Sequence, residues 1–122
     1  MKIYLLALAF VALLSGPILA HDPVKGPNGG MVVDAGPYHV ELVAQNNEVS
    51  LFVSDGAYKP LSGAGFKAVA ILLVDGKSHR VELTPADGGR LSGRAPVALP
   101  KNPKGAVQLN QPDGKTAQAR FN

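Results

Sequence analysis

Thirteen glycines and nine prolines fall between His21 and Asn122, spread along the chain instead of gathered into one linker. Residues of this kind break helices and close tight turns, so no long helix fits between them. What they leave are short runs of alternating apolar and polar residues, the two-residue period of strands with one face buried. Such runs occur at Met31 to Asp34, Tyr38 to Ala44, Glu48 to Ser54, Phe66 to Val74, Ser78 to Thr84, Arg90 to Ala95, Gly105 to Asn110 and Lys115 to Phe121. Asn46-Asn47, Asp75-Gly76 and Pro112-Asp113-Gly114 sit between successive runs and carry hairpin-turn chemistry. Gly56 to Gly65 reads as a loop, and Pro96 to Lys104 as an irregular or edge segment. The expectation is an all-β protein of seven or eight short strands: an antiparallel β-sandwich of Ig-like size, or alternatively a small β-barrel.

The first twenty residues read differently. Met1-Lys2 precedes an unbroken apolar run from Ile3 to Leu14, then Ser15-Gly16-Pro17 and Ile18-Leu19-Ala20. A positive start, a short apolar stretch and a small residue at the cut form the layout of a secretory signal peptide. The run is short of the roughly 20 apolar residues that a membrane helix needs, and Ala68 to Val74 is shorter still. Cleavage after Ala20 leaves an N-terminal segment at 21–30, flexible by its Pro and Gly content, ahead of a β domain at 31–122. The expected location is the periplasm, with no membrane span after cleavage.

Composition narrows the function. At 122 residues the chain is too short for an enzyme with a separate cofactor domain. The absence of Cys excludes disulfides, a thiol nucleophile and lipid attachment through cysteine. A formal charge of +3 with acids and bases interspersed carries no nucleic-acid footprint. Ser78 and His79 are neighbours on an expected strand, so they face opposite ways and make no nucleophile and base pair. Gly63-Ala64-Gly65 lacks the Lys and the helix of a phosphate loop. No catalytic pair emerges, and the protein is read as non-enzymatic.

What remains is metal chemistry. After cleavage the chain begins with His21, whose α-amine and imidazole can chelate one ion, and nitrogen ligands of this kind suit Cu(II) and Zn(II). His39 and Glu41 share a strand face about 7 Å apart at the Cα, so they can bind one metal together or act as ligand and orienting carboxylate. Asp22 and Asp34 are further carboxylates that can complete a site. His79 lies on a face with Val81 and Leu83, where a packed role is the ordinary one. Met31 is the only methionine after the leader, which excludes a thioether-rich Cu(I) site. The expected metal residues are His21, His39 and Glu41, binding Cu or Zn.

The stretch Pro27-Asn28-Gly29-Gly30-Met31-Val32-Val33-Asp34-Ala35-Gly36-Pro37-Tyr38-His39-Val40-Glu41-Leu42-Val43 resembles one found in small exported bacterial proteins and near the start of the periplasmic adaptor (membrane-fusion) subunits of heavy-metal efflux systems. There the pattern runs His-Gly-Gly, a short apolar run, a Gly, then Tyr or Phe, His, any residue, Glu, Leu. This chain has Asn28 in place of the first His. The resemblance implies a periplasmic β-sandwich associated with metal handling, with an efflux or other envelope protein as partner and His39 and Glu41 as the matching positions. A looser similarity of size and His terminus is to periplasmic copper-resistance sandwiches. The competing reading is an envelope protein interaction module with incidental histidines.

Overall fold

A computed structural model describes residues 22–122. The leader read over residues 1–20, and His21 with it, lie outside the described residues. Nine strands make up the architecture: β1 (Val24–Lys25), β2 (Met31–Ala35), β3 (Tyr38–Gln45), β4 (Glu48–Ser54), β5 (Lys67–Val74), β6 (Lys77–Pro85), β7 (Leu91–Arg94), β8 (Lys104–Asn110) and β9 (Thr116–Phe121). One turn of 3-10 helix at Asp87–Gly89 is the only helical element among the described residues. All pairings are antiparallel, in the order β1-β2-β3-β4-β7-β6-β5-β8-β9.

The all-β expectation stands, and the arrangement answers to the barrel alternative: one curled sheet, a half-barrel, with β2 packed against β9 across the opening. The reason lies in β6. Its residues Lys77 to Leu83 pair with β5, while Thr84 and Pro85 pair with Ser92 and Leu91 of β7. A strand that serves both halves joins what would otherwise be two separate sheets.

Alternation within the strands fills the inside of the curl. Val40, Leu42, Val49, Leu51, Leu72, Val81, Leu83, Leu91, Val107 and Leu109 are each essentially inaccessible to solvent. Burying side chains of this size stabilises by roughly 1.5–3 kcal/mol apiece, and with no cysteine in the chain that packing replaces cross-links. The hairpins close as their turn residues dictate. Val74 pairs with Lys77 around Asp75-Gly76, and Gln45 pairs with Glu48 around Asn46-Asn47.

Residues 24–30 fall within the 21–30 segment expected to be flexible, and they have structure of their own. Val24 and Lys25 pair with Val32 and Met31. The following turn is closed by the Gly26 amide donating to the Gly30 carbonyl at 2.8 Å.

Candidate functional site

The outer face of β2, β3 and β4 carries Val32 and Asp34, His39 and Glu41, and Phe52 and Ser54 in cross-strand register. On an exposed sheet these polar residues would meet water. Here His39 and Glu41 are buried, at 6% and 3% exposure, because two loops fold over the face.

The first loop is the turn at 26–30. Its Asn28 and Gly30 amides donate to Glu41 Oε2 at 2.9 and 2.8 Å, and the Asn28 side-chain amide donates to Oε1 at 2.9 Å. Three N–H donors thus compensate a carboxylate withdrawn from water. A side chain at Gly26 would overlap the Glu41 carboxylate, so the tight wrap requires glycine there.

The second loop follows β4. Asp55 organises it by accepting the Ala57 and Lys59 amides on Oδ1, both at 2.9 Å. Those two hydrogen bonds hold its carboxyl below the usual carboxylate range. The loop turns back through Tyr58, whose backbone is left-handed at φ 64° and whose ring stacks on His39 at 3.8 Å between centroids and 13° between planes.

His39 is held on three sides. Its Nδ1 lies 3.0 Å from the Asp55 carbonyl oxygen, and because a carbonyl can only accept, Nδ1 donates. Nε2 then points at Asp34 Oδ1, 3.2 Å away. An imidazole whose Nδ1 is pinned by a backbone carbonyl while Nε2 faces a carboxylate has the orientation found in metal-ligating histidines. Two donors each about 2.1 Å from one Zn or Cu ion stand roughly 3.0–3.4 Å apart at a near-tetrahedral angle, which the His39 and Asp34 spacing meets.

Of the residues expected to form a metal site, the structure therefore brings His39 and Glu41 onto one face and gives them different partners. The carboxylate that meets the imidazole is Asp34, while Glu41 binds the 28–30 turn. His79 lies elsewhere, half-buried on the core side of β6 opposite Leu72, with Ser78 turned outward. Among the described residues no three of His, Asp and Glu cluster closely enough to hold an ion. Asn28, Asp55 and Tyr58 were not singled out by the sequence as site residues. The available signal was Asp55-Gly56, an acidic residue opening a turn, which does not say where the loop lands.

Comparison of the chain with protein-family models, with curated proteins and with solved structures finds no match.

Proposed function

We propose that this is an exported, non-enzymatic protein of the periplasm that binds a divalent metal, Cu or Zn, through His39 Nε2 and Asp34 Oδ1, with the amino-terminal His21 as the third ligand. The observation that carries the reading is the 3.2 Å approach of those two atoms with Nδ1 already committed to a backbone carbonyl. The N-terminal chain supports it as well. The β1 and β2 pairing, Val24 with Val32 and Lys25 with Met31, runs the chain from its N-terminal side along the strand that carries Asp34. The α-amine freed by cleavage after Ala20 adds a nitrogen donor of the kind Cu(II) favours. Glu41 contributes by fixing the turn that leads into β2. The resemblance of the Gly29-Gly30 to Leu42 stretch to metal-efflux adaptor subunits points the same way, and an efflux or other envelope protein is the partner it suggests.

The test is a calorimetric titration of Cu(II) and Zn(II) into protein exported and processed by its own host, without an N-terminal tag, after intact mass has located the cleavage site. The expected result is saturable one-to-one binding that Asp34→Asn weakens by at least about tenfold and His39→Ala abolishes. Binding no tighter than that of a peptide spanning His21 to Gly30 would retire the metal reading.

One observation favours the interaction-module reading instead. Val69, Ile71 and Leu73 form an apolar row on the outer side of β5, with Ile71 38% and Leu73 47% exposed. Exposed aliphatic rows on a sheet are contact surfaces. That reading requires Asp34→Asn and His39→Ala to leave metal titrations unchanged.

A further inference from the structure

Glu41 is a buried carboxylate with no counter-ion among the described residues. The ion pairs among the described residues are His39 with Asp34, Arg80 with Glu82 and Arg90 with Glu48, none of which involves Glu41. An ionised carboxylate offers about four acceptor positions. Oε2 receives two N–H donors, but Oε1 receives only the Asn28 side chain. The negative charge is hydrogen-bonded yet not neutralised, and burial makes an opposite charge beside it worth more than at the surface.

Beside Glu41 lies a cavity of about 280 Å³ between the two loops. Asn28 and Glu41 contribute to its wall, and most of the rest is apolar or aromatic: Val32, Phe52, Tyr58 and Leu61. A cavity with one anionic group and apolar surroundings selects a cation with a carbon body. A bare metal ion fits poorly, because it needs four or more oxygen or nitrogen donors, and Glu41 is the one carboxylate or imidazole among the described residues of the wall. An ammonium needs only a few hydrogen-bond acceptors, and its apolar remainder gains by leaving water. Phe52 on the wall adds the attraction of an aromatic ring for cations, while the Tyr58 ring is already stacked on His39. At about 30 Å³ per water-sized group, the space suits a ligand of roughly ten non-hydrogen atoms.

We propose that this cavity is a binding site for small primary amines with an aromatic or aliphatic body, the ammonium donating to Glu41 Oε1 and the body lying against Phe52 and Leu61. The cavity shares Tyr58 with the His39 stack but takes its charge from Glu41 and not from His39 or Asp34, so amine binding requires no metal.

The experiment is a titration of the processed protein with phenethylamine, followed by backbone amide NMR, with 2-phenylethanol and phenylacetate as matched neutral and anionic probes. The expected outcome is saturable shifts at the Asn28, Gly30 and Phe52 amides, with phenethylamine binding at least about tenfold more tightly than 2-phenylethanol. Leu61→Trp, which puts a larger side chain on the cavity wall, removes binding, and Ile71→Ala on β5, outside that wall, leaves it unchanged. Glu41→Gln, if it folds, brings the amine down to the level of the alcohol. Equal binding of amine and alcohol, or absence of saturation at millimolar amine, would each overturn the proposal.

Discussion

Gly29 and Gly30 are adjacent in the chain and differ in what constrains them. Gly29 has a left-handed backbone, φ 88°, and open space where a side chain would go, so Gly29→Ala is charged only for conformation, about 1–2 kcal/mol. A side chain at Gly30 would instead overlap the Leu42 carbonyl of β3, so Gly30→Ala must push β2 away from β3. That substitution should cost about 3 kcal/mol or more, and urea unfolding of the two variants side by side measures the difference. At this scale the sequence was informative about facing and silent about covering. Alternation placed His39 and Glu41 on the outer side of β3, where they are. It could not tell that Asn28 and Tyr58, eleven and nineteen residues away from His39 in opposite directions, return to close over them, because side-chain period describes a strand and not the loops that settle on it.

Among the elements, the 55–59 loop is organised by a carboxylate of its own, Asp55, where the 26–30 turn relies on Glu41 of β3. The carboxyl of Asp55 is held below its ordinary value of 3.8 by the Lys59 and Ala57 amides. Its contribution to loop stability is therefore complete above that ordinary value and is lost as pH falls through the lower, folded one. Acidification below about pH 4 should release Tyr58 from His39 before the core unfolds, seen as faster amide exchange at Ala57 and Lys59 and as a change in the His39 ring resonances. Asp55→Ala should show the released loop already at neutral pH. The hairpins were readable because each turn has its own chemistry, as at Asp75-Gly76 between β5 and β6. The two-residue β1 was not, since Val24-Lys25 is too short to show a period. It exists because β2 offers it an edge, a tertiary cause that local pattern does not record.

For the molecule as a whole, all-β character and antiparallel pairing followed from the turns and the alternation, but the choice of one curled sheet over two rested on β6 changing partners, which composition does not encode. Leu91 sits at that junction, fully buried, opposite Leu51 of β4 and Pro85 of β6. Leu91→Ala should destabilise by about 2–5 kcal/mol and leave a single unfolding transition with an unchanged denaturant slope. Two transitions in that variant would mean that the halves of the sheet fold independently. The molecule also absorbs near-ultraviolet light in an unusually economical way. It has no tryptophan, and its two described tyrosines report on different places. Tyr38 stands edge-on to Phe66 against the core, at 5.3 Å and 87°, while Tyr58 lies flat on His39. A Tyr58→Phe protein leaves the core as the main tyrosine signal, so subtracting its near-ultraviolet dichroism from that of the parent isolates the spectrum of the site, and the protein becomes its own optical gauge without any attached dye.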